Sequence, residues 1–248
     1  MKTFLMILVA AVLLAALVLW IADQRWRSKS RAKTEALSGE FEGRKLVHFK
    51  ELEGLPEPVE RYFRLVLKHG AAIIHTARIT QSGGFRPSPK SSTWASMEAV
   101  QFFSTRPKGF VWDADIAMMP LLNARVRDSL HEDRAAMEVK LAGIIPVVEQ
   151  KAGPELNAGA LQRYLAEAVW FPTALLPSEG VSWEAVDGHS ALATLSVGSV
   201  SVTLQFFFNR FGEVTRIYAP ERYKEEKGKF VSYPWEARVG RRWPGARI

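Results

Sequence analysis

The stretch VSVTLQFFF, residues 200–208, decides the fold class. Val200, Val202, Leu204, Phe206 and Phe208 occupy alternate positions. Successive side chains of a strand point to opposite faces, so this spacing predicts a strand with one buried face. Asn209-Arg210-Phe211-Gly212 is a turn that sends the chain back into a second strand over 214–218. Upstream, residues 182–186 and 191–197 read as strands joined by the turn Asp187-Gly188, with Gly198 closing the second.

The same period of two continues toward the N-terminus. Ile73, His75, Ala77 and Ile79 share one face, and Phe110, Trp112, Ala114 and Ile116 share another, with Asp113 and Asp115 pointing the opposite way. Residues 124–128 alternate again, and the polar turn 131–134 leads to Met137, Val139 and Leu141. Two segments change period. Prolines at 56 and 58 suit a first helical turn, Val59, Tyr62, Phe63, Val66 and Leu67 make one apolar stripe, and Gly70 is a C-terminal cap. Leu161, Tyr164, Leu165 and Ala168 make a second stripe, bounded by Pro172. The order helix, strands, helix, strands predicts an α+β domain: a large curved, half-barrel-like antiparallel sheet with two helices packed on one face.

Residues 4–22 contain no charge, and as a helix they span roughly 28 Å, the thickness of a bilayer's hydrocarbon core. This stretch is longer than a signal-peptide core and runs without a small-residue cleavage site into Asp23-Gln24-Arg25-Trp26-Arg27, so it reads as an uncleaved transmembrane anchor. Trp20 and Trp26 are expected in the interfacial belt. Five cations follow the helix (Arg25, Arg27, Lys29, Arg31, Lys33), which by the positive-inside rule favours a single-pass cell-membrane protein with its domain in the cytoplasm. The boundaries expected are 1–33 for the anchor and its basic flank, 34–54 for a linker, 55–235 for the domain and 236–248 for a basic tail.

The net charge of +7 is concentrated at the ends. Residues 1–33 hold six Lys/Arg against one acid and residues 234–248 four against one, leaving −1 between them. A nucleic-acid partner needs positive charge on the folded face, so none is expected. The absence of Cys excludes disulfides, thiolate metal sites and a cysteine nucleophile.

The blocks RYLAEAVWFPTALLPS (163–178) and WEAVD (183–187) resemble a bacterial and archaeal family known only as a domain of unknown function. LPEPVERYFRLVL (55–67) and GFVWDADI (109–116) are similar to the same family. The resemblance implies an N-terminal membrane helix and a sheet-rich domain over 55–235, and carries no activity or catalytic residue. Family members continue past Trp235 with strand-like sequence, whereas here EARVGRRWPGARI follows, which reads either as a truncated or frame-shifted end, costing the sheet its last strand and exposing an edge, or as a disordered tail.

No two of the five histidines lie at helical metal-ligand spacing, no Gly-rich phosphate loop is present, and no nucleophile elbow surrounds Ser178 or Ser182. Neither a metal nor a cofactor is expected. Asp113 and Asp115 share a strand face and are acid–base candidates, with Arg125 and Arg127 on a nearby strand able to neutralise them across the ladder. Glu167, at the end of an apolar helix beside Trp170 and Phe171, is the polar group of a candidate pocket. The leading expectation is a binding module for a lipid or other apolar ligand, lined by Trp112, Glu167, Trp170, Leu175, Phe206 and Phe208. The alternatives are an interaction scaffold at the membrane and a hydrolase using Asp113/Asp115 or Glu167. The expected partners are the bilayer, through residues 4–22, and that apolar ligand.

Overall fold

The computed structural model describes the chain except for residues 40–42, 44, 87–90, 120–121, 227 and 241–248. One helix, α1 (Lys2–Leu37), runs unbroken from the uncharged stretch into the domain. A short helix α2 (Glu57–Val66) follows, opened by Pro56 and Pro58 and burying Val59, Tyr62 and Phe63. Of the stripe expected from the sequence, Val59, Tyr62, Phe63 and Leu67 are buried and Val66 is exposed.

The chain then forms a six-stranded meander: β1 (Thr76–Phe85), β2 (Ala95–Thr105), β3 (Lys108–Met119), β4 (Leu122–His131), β5 (Arg134–Leu141) and β6 (Ile145–Gln150). Helix α3 (Pro154–Glu167) and a corner of 3-10 turns lead to a second meander, β7 (Val181–Asp187), β8 (Ser190–Val197), β9 (Val200–Phe208), β10 (Val214–Glu226) and β11 (Lys229–Arg238). Every described pairing is antiparallel. The class is therefore α+β with open, half-barrel-like sheets, and the strands divide between two sheets at α3.

The alternation in β9 holds. Val202, Leu204, Phe206 and Phe208 are buried, while Ser201 and Thr203 are exposed and bond across to Ser196 and Thr194. Ala191, Ala193 and Leu195 of β8 and Ile217 of β10 extend the same apolar face. Helix α3 packs against β9 and β10 on one side and β3 to β5 on the other, so its Leu161, Tyr164 and Leu165 join the inner faces of both sheets in one core. Tyr62 and Phe63 of α2 complete it against Trp183 and Phe208.

Two expectations at the chain's ends are modified. β11 takes in Glu236, Ala237 and Arg238, which pair with Tyr218, Ile217 and Arg216. The alternation persists there, Trp235 and Ala237 facing inward and Glu236 bonding to Arg216. Residues 241–248 of the expected tail lie outside the described residues. At the other end, Trp26 is only 3% exposed and packed on the first sheet, so its ring faces protein rather than lipid.

Candidate functional site

The first sheet has two faces with different neighbours. Phe103, Phe110, Trp112, Ala114 and Ile116 point toward α3 and the core. The opposite face presents Arg78, Thr80 and Ser82 of β1, Glu98, Val100 and Phe102 of β2, Val111, Asp113 and Asp115 of β3, and Arg125 and Arg127 of β4. The lower half of α1 lies along this second face.

The contacts follow a helical stripe. Asp23, Trp26, Ser30, Lys33 and Leu37 recur every three or four residues and so lie on one side of α1. Trp26 Nε1 donates to Asp113 Oδ1 at 2.9 Å, and the Ser30 hydroxyl donates to the other oxygen of Asp113. Ser30 Oγ also accepts from Arg127 Nε at 2.9 Å. Arg127, fully buried, donates to the Trp26 carbonyl at 2.7 Å and to Glu138 at 3.3 Å, with its guanidinium 4.0 Å from the Trp26 ring centre. Burial lowers the Arg127 pKa, opposed by Glu138 and Asp113. Arg125 pairs with Asp23 at 2.7 Å and with Asp115 at 3.6 Å, and Lys33 reaches Ser129.

The cross-strand neutralisation expected from the sequence is thus present as register: Asp113 is opposite Arg127 and Asp115 opposite Arg125. Its partner helix was not legible. Both carboxylates are occupied by structural donors, Asp115 also accepting from Asn123 at 2.6 Å.

Beside this seam, α1 leaves the outer surface of β1 and β2 uncovered. A groove of about 610 Å³ lies there, between α1 and β1 to β3. Val100, Phe102 and Val111 give it an apolar floor, and its charged lining is Arg27, Arg31, Arg78 and Arg125 with Glu98, Asp113 and Asp115. Arg27 is paired with Asp23. Among the described residues, neither Arg31 nor Arg78 has a carboxylate within ion-pair distance. A second cavity of similar volume separates β6 from α3 and β10, but there Asp128, Glu155 and Glu225 offset Arg222 and Lys224.

Five of the six residues singled out in the sequence fall in two groups in and beside the core. Trp112 and Glu167 belong to one polar chain. Trp112 Nε1 donates to Gln81 at 2.8 Å, Gln81 to Gln101 at 3.0 Å and Gln101 to Glu167 at 2.6 Å. Arg163 donates to Glu167 at 2.9 Å and to Asp128 at 2.8 Å, and lies over the Trp112 ring. Burial alone would lower the Arg163 pKa, but Glu167 and Asp128 outweigh it and hold the guanidinium more firmly charged than usual. Leu175, Phe206 and Phe208 meet around Trp183, whose Nε1 donates to the Leu175 carbonyl at 3.0 Å. Trp170 is half exposed, its ring edge against Phe103. None of the six lines either of the two grooves. Among the described residues no group of three His, Asp or Glu is placed to hold a metal.

These features define a class: an α+β domain of two open antiparallel sheets, carried on one N-terminal helix long and apolar enough to cross a membrane and locked to the outer face of the first sheet. The sequence profile of the Family of unknown function (DUF6544) matches residues 45–245, and the chain belongs to that family. No curated protein and no solved structure matches it.

Proposed function

We propose that this is a single-pass membrane protein whose domain binds an amphipathic anion, of fatty-acid or anionic-lipid kind, in the groove between α1 and β1 to β3. The observation that carries the reading is the presence of two guanidinia without an ion-pair contact, Arg31 and Arg78, beside an apolar floor of Val100, Phe102 and Val111, in a groove whose four arginines outnumber its three carboxylates, Glu98, Asp113 and Asp115. Ligand pockets combine such a floor with a few placed polar groups, and about 610 Å³ is within their usual size. Arginine's planar fork matches a carboxylate or phosphate in two parallel bonds. The sequence suggests a lipid or other apolar ligand among the aromatics; the proposal narrows this to an anionic amphiphile and moves it to the outer groove, because the interior aromatics and Glu167 already pack against and bond to their neighbours.

Membrane proximity supports the same reading. Arg31 lies nine residues beyond Ala22, about 14 Å along a helix, which an acyl chain leaving the bilayer can span. The test is to purify the full chain in detergent and extract it for mass spectrometry, beside Arg31→Ala/Arg78→Ala. The reading expects an acidic amphiphile in the parent that is depleted in the double variant. An equal complement in both proteins, or none in the parent, overturns it.

A further inference from the structure

Three hairpins of the first sheet turn at the same end. Phe85 pairs with Ala95, Met97 with Ile116, Met119 with Leu122, and Leu141 with Ile145. The strand ends at β1–β2, β3–β4 and β5–β6 are therefore neighbours, and the Ala142 amide donates to the Asn123 carbonyl to join the last two. This end carries exposed apolar side chains: Trp94 is 64% exposed, Met119 60%, Ile145 58% and Val147 56%. Arg86 lies over the Trp94 ring at the first tip. The opposite end of the sheet is charged instead, with Arg106, Lys108, His131, Glu132, Asp133 and Arg134 in its turns.

The apolar end is the one beside the anchor. A Cβ built on Gly143 would stand 4.0 Å from the Ala22 methyl. Val18, Ile21 and Ala22 share the walls of one cavity with Gly143 and Ile144. Val18 and Ile21 belong to the last turn and a half of the uncharged stretch, so the β5–β6 tip is level with its final residues. Arg25 and Lys29, one to two turns further along α1, line the same cavity together with Lys140.

We infer that Trp94, Met119, Ile145 and Val147, at the described ends of these three hairpins, dip into the interfacial layer of the bilayer that α1 crosses, seating the domain on the membrane in a fixed pose. Exposed apolar patches of this kind mark interaction surfaces, and a cation layer above an apolar one matches the order of headgroup and acyl region. The docked lower half of α1 sets the height: the seam from Asp23 to Leu37 leaves no slack by which the sheet could stand away from the bilayer. The inference rests on residues 4–22 crossing the membrane, and its test separates the two.

The chain has no cysteine, so single nitroxide labels can be placed without background. Full-length Met119→Cys, Ile145→Cys, His131→Cys and Leu13→Cys are labelled in nanodiscs of phosphatidylcholine and phosphatidylglycerol. Relaxation by oxygen is compared with relaxation by a water-soluble nickel chelate. We expect labels at 119 and 145 to lose nickel relaxation and gain oxygen relaxation relative to 131, approaching the behaviour at 13. Nickel relaxation at 119 and 145 equal to that at 131, with 13 protected, overturns this inference alone. A water-exposed label at 13 overturns the anchor as well. Protection of 119 and 145 from both reagents signifies a protein contact, a second copy or another partner, and also overturns it.

Discussion

Replacing Arg127 by Met should release the lower half of α1 from the sheet. The side chain is fully buried and gives up three donated hydrogen bonds, to the Trp26 carbonyl, Ser30 Oγ and Glu138, together with its stack on the Trp26 ring. Hydrogen bonds from a charged donor are worth about 1.5–3 kcal/mol each, and a desolvated cation–π contact about 2. The sum is reduced by the burial cost of the guanidinium, which the variant no longer bears. Removing one member of a buried ion pair costs about 3–5 kcal/mol net, because Glu138 is left without its partner. Two of the lost bonds and the stack join α1 to β4, so the loss should be local. Amide exchange of the full chain in detergent, read over residues 26–37, should accelerate by about two to nearly four decades at 1.4 kcal/mol per decade. Acceleration below tenfold, or equal acceleration in β9 and β10, would refute the reasoning.

Tyr62 is buried with no partner for its hydroxyl among the described residues, so Tyr62→Phe should stabilise by about 1–2 kcal/mol, read as a higher urea midpoint. Burial holds the phenols of Tyr62 and Tyr164 well above the ordinary tyrosine pKa. With the folded value above the unfolded one, their contribution is complete below about pH 10 and falls as pH rises further; Tyr164→Phe should flatten that alkaline decline in urea titrations. A Cβ on Gly109 would stand 2.1 Å from the Leu130 carbonyl oxygen and 2.8 Å from Leu37, so Gly109→Ala should destabilise by about 1–3 kcal/mol or more. The same exchange experiment should show α1 loosened at its Leu37 end.

Eight of the eleven described strands were legible because their apolar side chains alternate, while β2, β6 and β11 were not read from the sequence. β9 shows this most plainly, and the Asp113–Arg127 and Asp115–Arg125 rungs follow from charges on alternate positions of neighbouring strands. The division into two sheets was not legible. Nothing local marks that β7 leaves the ladder of β6; the break comes from α3 and the corner at 168–179, and depends on which long-range partners they meet. The docking of α1 was missed for a chemical reason. Its stripe is Asp23, Trp26, Ser30 and Lys33, and the facing surface is a row of Asp and Arg, so a search for apolar periodicity sees two solvated surfaces. The available signal was Trp26 and Leu37, eleven residues and three turns apart on one side. The candidate residues were identified as buried aromatics near a carboxylate, a description that fits a filled core as well as a pocket; Trp112, Gln81, Gln101, Glu167 and Arg163 are the filled case.

The ligand's place decides the account. A fatty acid bearing a diazirine on its chain, incubated with membranes holding the full protein and irradiated, marks the residues it touches. We expect adducts in peptides covering 98–102 and 111–115 and in α1 at 27–34, lost in Arg31→Ala/Arg78→Ala. Adducts within 161–176 or on Phe206 and Phe208, or adducts confined to residues 4–22, would contradict it.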